Sequence, residues 1–171
     1  MKFLVIFCAF FFVACYGSDE QVAFVNIGSV NGTDSSGVNY QKTFYLPRYF
    51  RTTWMLARAI CKSYDLEFAS ADTLDEATTL VSFIKNNSGY VYVTALIGGL
   101  TRTPKSKTDW YWVNSGNKVA YDIPWYVTQP NNYEGKEQCL GIGRGYKDKF
   151  DFHDYQCMGE DLTFICQKIE Y

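Results

Sequence analysis

Gln129-Pro130-Asn131, Glu137-Gln138-Cys139, Phe152-His153-Asp154-Tyr155-Gln156-Cys157 and Phe164-Ile165-Cys166 follow one another near the end of the chain. Side chains with carbonyl or carboxylate oxygen crowd here beside three cysteines and a proline. Hard cations such as Ca²⁺ take roughly six to eight oxygen ligands from carboxylates, amides and backbone carbonyls. Gln129, Asn131, Glu137 and Asp154 are the residue types such a site uses.

Outward from this stretch, the cysteines bound the compartment. The chain has 171 residues and six cysteines. Residues 1–17 read as a secretory leader: Lys2, an apolar run from Phe3 to Ala14, then the small residues Cys15 and Gly17 before the cleavage point. The run is short for a membrane span, and polar Ser18-Asp19-Glu20 follow without a basic stop, so an uncleaved anchor is the weaker reading. Cys8 and Cys15 leave with the leader. Cys61, Cys139, Cys157 and Cys166 remain, an even number that points to two disulfides in a secreted chain. Four cysteines allow three pairings, and the sequence alone does not choose. A zinc site is disfavoured, because there is no Cys-x-x-Cys and His153 is the single histidine. Net charge is −2 for the whole chain, with no basic patch that suggests nucleic acid.

Residues 18–171 make one domain's worth of chain. Val22–Ile27 alternates as a short strand, and the Gly/Ser/Asn/Asp-rich run 28–39 reads as a loop or flexible arm. Thr43–Leu46 is a strand ended by Pro47. Thr52 or Thr53 caps a helix to about Tyr64, with Leu56, Ala57, Ile60, Cys61 and Tyr64 on one face. Thr73-Leu74-Asp75-Glu76 is a capping box, in which Glu76 is expected to reach back to the Thr73 amide. Leu74, Ala77, Leu80, Val81 and Ile84 make that helix's apolar stripe, and Asn86, Asn87 and Gly89 end it. Further strands are expected at Tyr90–Ile97, Asp109–Val113, Cys139–Gly143 and Leu162–Cys166. Thr101–Thr108 is a polar, basic loop, and residues 119–136 form a long one. Gly141-x-Gly143-x-Gly145 lacks the helix pattern of a phosphate loop and reads as a tight strand-to-loop turn. Asn31-Gly32-Thr33 and Asn86-Asn87-Ser88 are glycosylation sequons, at Asn31 and Asn86. Aromatic residues reach 18%, enough to fill a sheet-rich core with large rings.

In its ordering and spacing, the opening stretch resembles the carbohydrate-recognition domain of the C-type lectins, in a short secreted form like those of insects. Gln129-Pro130-Asn131 stands for that family's Glu-Pro-Asn or Gln-Pro-Asp triplet, and Glu137 for the acid two before a cysteine. Phe152-His153-Asp154 stands for Trp-Asn-Asp, with Cys157 at the family spacing. Trp54–Cys61 resembles the family's first helix, and Trp110-Tyr111-Trp112 its Trp-x-Trp. The resemblance covers roughly residues 43–168. It implies an α+β C-type lectin-like fold: two helices, antiparallel sheets, a long irregular loop region, and disulfides Cys61–Cys166 and Cys139–Cys157. The implied organisation is a leader (1–17), an amino-terminal strand and arm (18–42), and a lectin domain (43–171).

The resemblance also implies a site. Gln129, Asn131, Glu137, His153 and Asp154 occupy the positions that ligate Ca²⁺, with a cis peptide expected at Pro130. Gln129, Asn131, Tyr133, Glu137 and Asp154 occupy those that meet the sugar. An imidazole nitrogen is a poor ligand for a hard cation, so His153 weakens the set. The triplet is a hybrid with amides at both positions, which leaves two carboxylates. Tyr133 stands where galactose-binding members carry a stacking ring, so galactose-type sugar is favoured over mannose-type. The implied function is glycan recognition on microbial or cell surfaces in innate immunity, with a homo-oligomer giving avidity. The alternative is a calcium-independent module of the same fold that binds a protein partner. No motif places a Ser or Cys nucleophile, so an enzyme is not expected.

Overall fold

The computed structural model describes residues 22–89, 94–120, 122–159 and 161–171. The expected leader and the first half of the strand expected at Tyr90–Ile97 lie outside the described residues. The elements are β1 (Phe24–Thr33), β2 (Asn39–Pro47), α1 (Trp54–Ser63), β3 (Glu67–Phe68), α2 (Leu74–Asn86) and β4 (Thr94–Thr101). They continue with β5 (Trp110–Trp112), β6 (Glu137–Arg144), β7 (Phe150–Gln156), β8 (Thr163–Phe164) and β9 (Cys166–Glu170). One sheet has the order β1-β2-β9-β3 and the other β5-β4-β6-β7, with β8 running parallel to β4. The other named strand pairs are antiparallel. This is the expected α+β arrangement, with two α-helices among the described residues. Both implied bridges are present: Cys61–Cys166 and Cys139–Cys157.

The helices begin where their caps dictate. Thr53 Oγ1 accepts from the Leu56 amide at 3.5 Å, and Thr73 Oγ1 from the Glu76 amide at 3.1 Å. The second half of the capping box is different from expectation. Glu76 Oε2 takes the Asp72 amide at 2.7 Å, one residue before the cap, and the Lys42 ammonium at 2.8 Å. A buried cation from β2 thus draws the carboxylate away from Thr73. In α1 the buried residues are Trp54, Ala57 and Cys61, while Leu56 is 57% exposed, so the buried face is rotated toward Trp54. In α2 the buried stripe is Ala77, Leu80 and Ile84, and Leu74 lies on its exposed edge.

The run 28–39, expected as a loop, is a strand and a tight turn. β1 continues to Thr33 and pairs with β2 down to Thr33↔Asn39. Asp34 Oδ1 accepts from the Ser36 and Val38 amides at 2.8 and 2.9 Å and so closes the turn. Small polar residues, read as loop signals, instead let large rings approach: Gly28, at φ 145°, sits at a bulge, and a Cβ there would run into the Phe83 ring of α2. Trp54, Trp110, Trp112, Phe44, Phe68, Phe152 and Phe164 are fully buried, as the aromatic content predicts. Phe150–Gln156, the segment that carries Asp154, is a strand as well. Phe150, Phe152 and Asp154 alternate onto one face of it, with Phe152 opposite Ile142 of the neighbouring β6, and all three are buried.

Candidate functional site

Asp154 lies on β7 opposite Leu140, and Glu137 is the first residue of β6. The long segment between β5 and β6 folds back onto them. Phe152 anchors it: its amide donates to Pro124 O at 2.8 Å, and its carbonyl accepts from the Tyr126 amide at 3.0 Å. The Gln129–Pro130 peptide is cis, as the resemblance implies, and Pro130 is buried.

Side-chain oxygens then gather as acceptors on three successive main-chain amides. Asp154 Oδ1 accepts from the Asn131 amide at 3.1 Å, and Oδ2 from the Asn132 amide at 2.7 Å. Glu137 Oε2 accepts from the Tyr133 amide at 2.6 Å. Gln129 Oε1 shares the Asn131 amide with Asp154, at 3.0 Å. Asp154 is 1% exposed, whereas Asn131 is exposed and Gln129 and Glu137 are half-buried. Charge-assisted bonds from carboxylates are the strong ones, so this turn is held mainly by Asp154 and Glu137. Tyr133 is 63% exposed, with its ring on the outer surface of the turn.

Sequence reasoning passed over Asn132 as a structural residue. It takes a left-handed backbone, φ 50°, and its Oδ1 accepts from the Glu137 amide at 3.0 Å. The signal was available: Asn tolerates that conformation better than most side chains, and Asn131-Asn132 before a ring is a turn pattern.

His153, expected among the metal ligands, stands apart from the cluster. Neighbouring side chains on a strand point to opposite faces, and Asp154 takes the side that meets the Asn131 and Asn132 amides. The His153 ring stacks on Tyr126 at 4.9 Å between centroids and faces Tyr155 at 6.0 Å. Burial pushes its imidazole below the ordinary histidine range, with the charges of Asp151 and Asp154 opposing. These rings lie over the glycines of β6. A Cβ at Gly143 would overlap the Tyr155 hydroxyl and sit 3.3 Å from His153 Cδ2, and one at Gly145 would overlap the Tyr126 ring. Gly141 and Gly143 are therefore a seat for aromatic rings on β6, and Gly145 opens the expected tight strand-to-loop turn, its amide donating to Lys149 O at 2.6 Å ahead of β7.

Among the described residues, no cluster of three or more His, Cys, Asp or Glu side chains is placed to hold a metal. The gathered oxygens are instead those of two carboxylates and the Gln129 amide, beside the exposed Asn131, which is the chemistry a hard cation takes, with fewer charges than a tight site carries.

The Lectin C-type domain family matches residues 51–168. Ladderlectin of Oncorhynchus mykiss is 27% identical over 116 residues, 68% of this chain and 57% of ladderlectin, so the match spans little more than half of that protein. C-type lectin mosGCTL-7 of Aedes aegypti is 21% identical over 134 residues, 78% of this chain and 87% of that protein. The solved C-type lectin domain of murine dendritic cell inhibitory receptor 2, in complex with N-glycan, superposes with TM-score 0.60 at 14% identity, over 75% of this chain and 91% of that one. The match to the family over most of the chain, the two bridges and the fold together establish that this protein belongs to the C-type lectin domain family.

Proposed function

We propose that this chain is a secreted, non-enzymatic carbohydrate-binding protein that recognises glycans through Ca²⁺ held by Gln129, Asn131, Glu137 and Asp154. One observation carries the reading: oxygen donors from β6, β7 and the intervening segment gather on one turn, around Asn131. Bound there, the cation would supply a template for two neighbouring sugar hydroxyls. His153 is left out of the set, because it lies on the far face of β7. The exposed Tyr133 ring favours galactose-type over mannose-type sugar, since it is available to stack on an apolar sugar face. Innate recognition of microbial or cell surfaces fits a weak single site made useful by several copies: millimolar affinity is only about −4 kcal/mol. Asn31 and Asn86, both exposed, would carry the chain's own glycans. No helix among the described residues is long and apolar enough to cross a membrane.

The test is retention on galactose resin in millimolar Ca²⁺, with release by EDTA and weaker retention on mannose resin. Glu137→Ala and Asn131→Ala should each abolish it. Equal retention with and without EDTA would remove calcium from the reading.

A second reading has its own support. Three main-chain amides already hold both carboxylates, so the turn keeps its shape through its own hydrogen bonds. That suits a calcium-independent module that docks a protein on this loop. Calorimetry separates the two: no heat and no thermal stabilisation at millimolar Ca²⁺ would favour the protein-binding module.

A further inference from the structure

The basic loop Thr101–Thr108 takes no part in the site described above. It leaves the end of β4 and returns into β5, the outer strand of the second sheet. Its own polar groups are spent internally. Thr101 Oγ1 donates to Asp109 O at 2.6 Å and accepts from the Thr103 amide at 3.1 Å. The Ser106 amide donates to Thr103 O at 3.1 Å, and Ser106 O accepts from Trp110 Nε1 at 2.8 Å. So the loop is fixed, and Arg102, Lys105 and Lys107 stand exposed on it.

Lys118 joins them from the far side of β5. Arg102 Cζ lies 5.4 Å and Lys118 Nζ 5.9 Å from the centre of the same ring, Tyr111. Among the described residues, none of these four cations makes an ion pair within 4 Å. The only carboxylate between 101 and 118 is Asp109. The Thr103 hydroxyl holds it below the usual carboxylate range, helped by Tyr111 and by the charges of Arg102 and Lys118. Four cations against one carboxylate is a sharp local excess in a chain whose net charge is −2.

We propose that this edge is a second binding surface, for the sulfate or carboxylate groups of an acidic polysaccharide, and that it works without calcium. Uncompensated like charges held close by a fixed loop raise the local potential and attract a polyanion. Lysines act as point charges and suit separate anionic groups along a saccharide. The Tyr111 ring already carries two cations, so it is not free to stack on a base, which disfavours single-stranded nucleic acid. Leu100 pairs with Tyr111 on one side and with Cys139 on the other. The patch therefore sits at the Glu137 end of the sheet, about 10 Å from β6 by strand spacing. It shares no residue with the proposed calcium set, so it stands or falls separately.

The experiment uses the full chain on immobilised heparin, eluted with NaCl in the presence of EDTA. Retention is expected, and Lys105→Gln/Lys107→Gln/Lys118→Gln should bind at least about tenfold more weakly. The same three positions changed to Arg should retain binding. A control with equal charge loss, Lys62→Gln/Lys85→Gln/Lys168→Gln, should elute with the wild type. Should the triple Gln variant lose its cooperative melt, Lys107→Gln alone carries the test, with an expected weakening of about two- to threefold. Loss of heparin binding in EDTA, or equal weakening by the control, would overturn the proposal. So would displacement of heparin by single-stranded DNA more readily than by dextran sulfate at equal charge.

Discussion

Asp154 is the residue on which the turn closes, and its chemistry gives a test that does not involve sugar. Its carboxylate is buried and accepts two main-chain amides. Hydrogen bonds to a charged acceptor are worth about 1.5–3 kcal/mol each, and a buried donor left without its acceptor costs a similar amount. Asp154→Asn keeps the size but turns an NH₂ toward one of those amides. It is expected to lose roughly 3 kcal/mol of stability in EDTA, measured by urea unfolding. Gln129→Ala, which removes only a shared acceptor, should cost less than about 1 kcal/mol. A wild-type urea midpoint for Asp154→Asn in EDTA would show that the carboxylate does not hold the turn. That Gln129, Glu137 and Asp154 would meet on the turn after Pro130 was an expectation the resemblance carried, and their side chains do share it. The place of His153 was not legible in the sequence. Its neighbour on a strand points to the opposite face, and that follows only once Phe150–Gln156 is known to be a strand. The dense polar letters there, Asp151-Phe152-His153-Asp154, hid the alternation of Phe150 and Phe152 toward the core.

At the scale of elements, β2 and α2 are joined by a buried charge cluster that no local pattern announces. Lys42 is fully buried and its Nζ reaches Asp72 Oδ2 and Glu76 Oε2, each at 2.8 Å. Tyr40 donates its hydroxyl to Glu76 Oε1 at 2.6 Å. The Thr73 cap was readable because it is local, with the Glu76 amide three residues on, but the return bond of Glu76 was not, because Lys42 and the Asp72 amide take its carboxylate. Lys42 lies thirty-four residues from Glu76, and only the paired register of β2 in the sheet brings it there. The same register turned the expected arm 28–39 into a strand. Burial raises the Tyr40 hydroxyl well above the usual tyrosine range, with the Glu76 hydrogen bond and charge adding to it. The folded protein therefore keeps this proton where the unfolded chain, with tyrosine near 10, releases it. Stability from this group is present below about pH 10 and is lost as the pH rises beyond it. In urea unfolding across pH 8 to 11, the stability advantage of wild type over Tyr40→Phe should shrink above about pH 10. An advantage that stays flat over that range would show that Tyr40 does not couple to proton release.

Across the whole molecule, the two bridges divide the work between scaffold and site. Cys61–Cys166 ties α1 to β9 in the first sheet and spans 105 residues of chain. Cys139–Cys157 ties β6 to the residue after β7 in the second sheet and spans 18. Composition allowed three pairings, and the resemblance, not any local pattern, selected this one. Cys61 and Cys166, 105 residues apart, meet only when α1 docks on the sheet that holds β9. On the loop-closure argument, the long bridge stabilises by about 4.7 kcal/mol and the short one by about 3 kcal/mol. Cys61→Ala/Cys166→Ala is therefore expected to melt lower than Cys139→Ala/Cys157→Ala, by about 1–2 kcal/mol in urea unfolding. Sugar retention should fall in the opposite order. Cys139 is two residues from Glu137 and opposite Tyr155, so losing the short bridge frees the strand ends that carry the gathered oxygens. Measured at a temperature where both variants are folded, the short-bridge variant should bind galactose resin more weakly than the long-bridge variant, though it is the more stable of the two. If binding simply tracks stability across the pair, then the second bridge does not organise the site, and the gathering of Glu137 and Asp154 rests on hydrogen bonds alone.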